Sequence, residues 1–182
     1  MSSSPLRAVL DANVLYPFSL RDTLLRIAAA DYIQIYWSAQ ILEETSRNLV
    51  SKAGITQAQA DYLLNAMRRA FPDAMVTGHE PLIETMPNDE KDRHVAAAAV
   101  KVSAHVIVTN NLRDFRGLPD GVEAQSPDQF LLALFTSEPD GLIRVLKQQA
   151  AALQRPPVTL EELLVGLSKT VPEFAQAIQS QL

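Results

Sequence analysis

The sequence contains no cysteine, which excludes disulfide scaffolds, thiol nucleophiles, zinc knuckles and iron–sulfur clusters together. Aromatic residues are scarce at 6%, too few for the row of stacked rings that grips single-stranded nucleic acid. Positive charge is not in excess: 16 Lys and Arg stand against 21 Asp and Glu, a net charge of −5. A basic tail or a generally basic nucleic-acid coat is thereby excluded, while a local basic rim is not. No apolar run approaches the roughly 20 residues that a membrane span needs, so no membrane partner is expected. Met1 to Pro5 precede a short apolar run that Asp11 interrupts, which matches neither a signal peptide nor an anchor, and the expected location is the cytoplasm.

What is present is a chain of 182 residues, 47% apolar, enough for one substantial core. Ala8-Val9-Leu10 has the length of a buried strand, and Leu20 to Ala30 carries a helical stripe of Leu20, Leu24, Leu25, Ile27 and Ala28. Ile33 to Trp37 is β-branched and aromatic and runs into Ser38, an N-cap for a helix reaching about Ser51. Thr56 and Gln59 form a capping box for the next helix, to about Ala70. Pro72 to Pro87 reads as a loop, and Asn88 as the cap of a helix through the alanine run to Ser103. Val106 to Thr109 is a third strand, with Val122 to Ala124 a weaker fourth. Alternating strands and helices imply an α/β fold with a mostly parallel central sheet of four to five strands flanked by helices. From Ser126-Pro127-Asp128-Gln129 onward the pattern is helical only, so residues 127–182 are read as a C-terminal helical extension.

Ligands of open α/β sheets gather beyond the carboxyl ends of the strands. Asp11 ends the first strand, and Asp114 lies five residues past Thr109 beside Asn110 and Asn111, so right-handed crossovers put both on one edge. Helical spacing sets Asp92 on one face with Val95, Ala96, Ala99 and Val102, a carboxylate on the apolar side of its helix. Burying that charge is costly unless a cation or dense hydrogen bonding compensates. Glu43 and Glu44 flank the stripe of Ile41, Leu42, Thr45 and Leu49 on opposite sides, and periodicity does not choose between them. Carboxylates converging from separate segments repel one another unless a divalent ion neutralises them. Oxygen ligands without cysteine suit Mg²⁺ or Mn²⁺, and phosphodiester hydrolysis is the chemistry such an ion serves best.

Four segments then carry a resemblance: Val9-Leu10-Asp11-Ala12-Asn13-Val14-Leu15, Ile41-Leu42-Glu43-Glu44-Thr45, Asn88-Asp89-Glu90-Lys91-Asp92-Arg93-His94-Val95, and Val108-Thr109-Asn110-Asn111-Leu112-Arg113-Asp114-Phe115. In this order they resemble the acidic motifs of PIN-domain ribonucleases, most closely the VapC-type toxins of bacterial toxin–antitoxin systems. The resemblance covers about residues 6–126, and the extension is similar to a helical tail carried by some of those toxins. It implies a PIN-like fold and a metal-dependent endoribonuclease with Asp11, Glu44, Asp92 and Asp114 as metal-binding and catalytic acids, thus choosing Glu44 over Glu43. It also implies Asn13, Thr109 and Asn111 as polar neighbours of the site, RNA as substrate and a cognate antitoxin protein as partner. Many relatives carry aspartate where Asn111 stands, which leaves Asp114, Asn111 or Asp89 to complete the set.

Arg93, Arg113 and Arg116 flank the acids and are candidates for RNA phosphates. His79, His94 and His105 lack a serine elbow or a ligand-spaced partner and are assigned no catalytic role. Two other readings compete. A haloacid-dehalogenase-type phosphatase would use Asp11 as nucleophile, but wants an acid where Asn13 stands and a lysine that is not in place. A non-catalytic binding module would use the acidic cleft for an interaction. The helical extension is open to three roles: part of an antitoxin groove, a homodimer face, or a lid over the sheet.

Overall fold

The computed structural model describes residues 4–182. Met1 to Ser3, on which the N-terminal reading partly rests, lie outside the described residues. Five parallel strands form one sheet: β1 (Leu6–Leu10), β2 (Ile33–Ser38), β3 (Met75–Val76), β4 (Val106–Val108) and β5 (Glu123–Gln125), in the spatial order β3-β2-β1-β4-β5. β1 is the centre: Ala8 pairs with Ile35 on one side and Val106 on the other. Its Ala8, Val9 and Leu10 are fully buried, because a central parallel strand is covered on both faces.

The helices that cover it are α1 (Ala12–Leu15), α2 (Phe18–Ala29), α3 (Ala39–Ser51), α4 (Gln57–Ala70) and α5 (Arg93–Lys101). The start of α3 is capped by Ser38, whose hydroxyl accepts from Ile41 N at 3.2 Å. Thr56 and Gln59 form the full capping box of α4. Trp37, fully buried, meets Phe71, the residue just past α4, edge-on at 6.0 Å.

Three local expectations change. The stretch Pro72 to Pro87 holds β3 and a 3-10 turn over Glu80–Thr85; a two-residue strand has no periodicity to announce it. Asn88 does not cap the alanine helix. Asp89 caps a 3-10 turn, Glu90–Asp92, and Asp92 occupies the N-cap position of α5, which ends at Lys101. On α2 Leu25 is only half-buried, while Arg21 and Thr23 are buried. Arg21 is satisfied by the Leu15 and Tyr16 carbonyls at 2.9 Å each.

Beyond the sheet follow α6 (Pro127–Ser137), α7 (Pro139–Ala152), α8 (Leu160–Leu167) and α9 (Pro172–Gln179). They share the core of the sheet domain. Buried Gln149 on α7 accepts from Thr23 Oγ1 at 2.8 Å and donates to the Ser19 carbonyl at 3.2 Å, both on α2. Asp128 accepts from the amides of Phe174 and Glu173 at 2.8 and 3.1 Å, so a carboxylate of α6 caps the first turn of α9.

Candidate active site

Parallel pairing aligns the ends of β1 and β4: Leu10 stands against Val108, and the next residues, Asp11 and Thr109, follow at the same sheet edge. The Asp11 amide donates to the Val108 carbonyl at 3.1 Å, continuing the ladder one step past the strand. Asp11 is buried and almost fully bonded. Oδ1 accepts from the Ala12 backbone amide at 2.8 Å; Oδ2 accepts from the Thr109 hydroxyl at 2.8 Å and from the Asn13 side-chain Nδ2 at 3.2 Å. Asn13 Nδ2 also reaches Thr109 Oγ1 at 3.2 Å, and its Oδ1 accepts from the Asn110 amide at 3.0 Å. The Asn111 amide donates to Thr109 Oγ1 at 3.0 Å, while the Asn111 side chain is exposed. Asp11, Asn13 and Thr109 thus form one network, with Asn111 contributing its backbone.

Asp92 arrives from the start of α5. It is 7% exposed, and its Oδ2 has no hydrogen-bond partner. Burial, then the proximity of Asp11, pushes its carboxyl up to about 7; Asp114 and Glu44 add to the rise and Lys91 opposes it. Burial likewise pushes Asp11 up from its ordinary value against the pull of Thr109 and Ala12, with Glu44 adding to the rise and His94 opposing it. Both carboxyls respond to Glu44, and Asp92 responds to all three other acids.

The two glutamates separate clearly: Glu43 is exposed, whereas Glu44 is half-buried with Oε1 3.0 Å from His94 Nε2. Asp114 stands in the 3-10 turn Leu112–Phe115, anchored by buried Phe115. Its Oδ2 lies 3.0 Å from Lys91 Nζ, and its carbonyl accepts from the Asp89 amide at 3.1 Å. That bond ties the loop after β4 to the turn carrying Asp92. Asp89 itself is exposed, its side chain occupied by the Lys91 amide. Arg93 donates to the Asn88 carbonyl at 3.0 Å; Arg113 and Arg116 are exposed.

Among the described residues no group of three or more Asp, Glu or His side chains is placed to hold a metal ion. The donor types nevertheless suit a hard divalent ion that keeps several of its waters: oxygens only, one of them buried and unpartnered, with the Asp11 and Asp92 carboxyls held above their ordinary range by burial and by neighbouring acids. Three side chains have surroundings that the sequence reading did not foresee. Lys91 pairs with Asp114; His94 touches Glu44; and Asn88 is 4% exposed with neither side-chain polar atom partnered. The available signal for His94 was its place in a segment, His94 to Ala99, with no polar face.

A family model described as PIN domain matches residues 7–113, and one described as VapC50 C-terminal domain matches residues 127–180. Over 105 residues the chain is 40% identical to a protein of Mycobacterium tuberculosis (strain ATCC 25618 / H37Rv) named "Putative ribonuclease VapC50". That stretch is 56% of this chain and 62% of the relative, so less than two thirds of the relative's length is spanned. No solved structure matches the chain at a significant level. With the PIN-domain model matching more than half of its residues, at a sheet edge where separate segments bring their acids together, the chain belongs to the PIN-domain family.

Proposed function

We propose that this chain is a divalent-metal-dependent endoribonuclease, the toxin of a VapC-type toxin–antitoxin pair, with its nuclease domain over residues 6–126 and its helical extension over 127–182. The observation that carries the reading is buried Asp92, with an unpartnered oxygen and a carboxyl pushed up to about 7 by burial and by Asp11. A buried acid of this kind, facing other acids, is a group built to meet a cation.

Asp11, Asp92, Asp114 and Glu44 would hold Mg²⁺ or Mn²⁺. Such an ion acidifies a bound water and stabilises charge on the leaving oxygen of a phosphodiester. The chain's own residues do the rest. Thr109 and Asn13 fix the Asp11 carboxylate in one orientation by two bonds to Oδ2, and the Ala12 amide holds Oδ1. Burial of Asp92 keeps bulk water from one side of the site and strengthens every charge interaction there. Arg113 and Arg116, exposed beside Asp114, are positioned to meet RNA phosphates, whereas Arg93 is spent partly on the Asn88 carbonyl. An antitoxin protein is the proposed partner and the cytoplasm the proposed location; among the described residues no helix is long and apolar enough to cross a membrane.

The phosphatase alternative is disfavoured by the same contacts: the position two residues after Asp11 is filled by Asn13, which bonds Asp11 and carries no proton to donate as an acid. The test is incubation of purified protein with a mixed RNA pool, with Mg²⁺ or Mn²⁺ and with chelator, and mapping of the cut ends. Divalent-dependent cleavage that disappears in Asp92→Asn is the expected result. Cleavage unchanged by chelator or by that substitution overturns the reading.

A further inference from the structure

His94 lies in the first turn of α5, in a stretch where His94, Val95, Ala96, Ala97, Ala98 and Ala99 are all buried. At 2% exposure the imidazole is buried, and a polar ring in such surroundings needs a partner. Glu44 is what it meets: Nε2 is 3.0 Å from Glu44 Oε1, at ion-pair distance though outside hydrogen-bond alignment, and among the described residues neither ring nitrogen has a hydrogen-bond partner elsewhere. Glu44 projects from α3 on a long flexible side chain, and an unrestrained glutamate would lose rotamer freedom on binding an ion. Restraint before binding removes that loss.

We propose that His94 is a positioning residue: from the buried side of α5 it holds Oε1 of Glu44, so that the carboxylate is aimed at the site of Asp11 and Asp92 with Oε2 left for the cation. The inference rests on the metal-dependent reading above and adds a residue to it. One helix start then serves two ends, since α5 delivers Asp92 at its N-cap position and, two residues on, the group that steadies a carboxylate arriving from α3. Groups that hold metal ligands in this way typically change metal affinity by roughly 10- to 100-fold when removed.

The experiment measures Mn²⁺ affinity of the full chain by calorimetry and by the electron-paramagnetic-resonance signal of free Mn²⁺, with folding checked by circular dichroism. The variants are His94→Gln, His94→Asn, His94→Leu, Glu44→Gln and the Glu44→Gln, His94→Leu pair. Gln extends a donor to about the place of Nε2, whereas Asn stops at that of Nδ1. We expect His94→Leu and His94→Asn to weaken Mn²⁺ roughly tenfold or more, His94→Gln to stay within about threefold of wild type, and His94→Leu to add nothing once Glu44 is Gln. If His94→Leu fails to fold, the contrast between Gln and Asn decides. Equal affinity in Gln and Asn variants, or losses that multiply in the double variant, overturns the positioning role while leaving the metal reading intact. A wild-type chain that binds no Mn²⁺ overturns both, and is recognised because every variant is then equally silent.

Discussion

The Thr109 hydroxyl donates to Asp11 Oδ2 at 2.8 Å across 98 positions of sequence, joining the end of β4 to the end of β1. Because Thr109 also accepts from Asn13 and from the Asn111 amide, it organises the polar floor beneath the acids. Thr109→Val keeps the shape and removes the hydroxyl. The expected loss of stability is about 1–3 kcal/mol, since a buried carboxylate loses a donor, together with weakened Mn²⁺ binding; thermal melts and calorimetry check both.

Asp92 predicts a pH dependence whose sign follows from its raised carboxyl. Folded Asp92 titrates near 7 against an ordinary value of 3.8, so between these the folded chain holds a proton that the unfolded chain releases. The group's contribution is fully present below about pH 4 and is lost as pH rises through 7 in the absence of metal. Denaturant titrations in chelator should therefore show wild type losing stability from pH 5 to 8 relative to Asp92→Asn, and saturating Mn²⁺ should restore it at pH 8. Parallel curves for the two proteins would contradict the burial argument.

The two neighbouring glutamates predict a clean contrast. Glu44 is half-buried and electrostatically felt by Asp11 and Asp92, while Glu43 is exposed. Glu44→Gln should reduce RNA cleavage by an order of magnitude or more, and Glu43→Gln by less than about twofold, read from initial rates at fixed Mn²⁺.

Gly141 predicts how tightly the C-terminal helices sit on the sheet domain. A Cβ there would stand 2.5 Å from Tyr32 Cζ, so the phenol ring would have to shift. Gly141→Ala should destabilise by about 1–3 kcal/mol in thermal or denaturant unfolding, and Tyr32→Ala should remove much of that penalty. Additive effects of the two substitutions would mean the contact is slack.

Much of this fold was legible from pattern. Ser38 and Thr56 read as N-caps and are N-caps, because capping needs only residues three apart. Parallel strands rich in Val, Ile and Ala announced a sheet covered on both faces. β3 was not legible, since Met75-Val76 is defined by pairing with Trp37 and Ser38 rather than by any run of its own. Nor was the start of α5: Asn88 and Asp89 are both competent caps by sequence, yet Asp89 caps the 3-10 turn Glu90–Asp92 and Asp92 stands at the N-cap of α5.

For the site, the sequence by itself determined that Asp11 directly follows the first strand, because a strand terminus is a local quantity; Asp92, read on a helix face, instead stands at the N-cap of α5, outside the helix. Tertiary structure decided what local geometry left open. It separated Glu44 from Glu43, set Lys91 against Asp114, occupied Asp89 with a backbone amide, and lodged His94 beneath Glu44. These are contacts between segments tens of residues apart, and their distances follow from how helices pack on the sheet, which no single segment's periodicity contains.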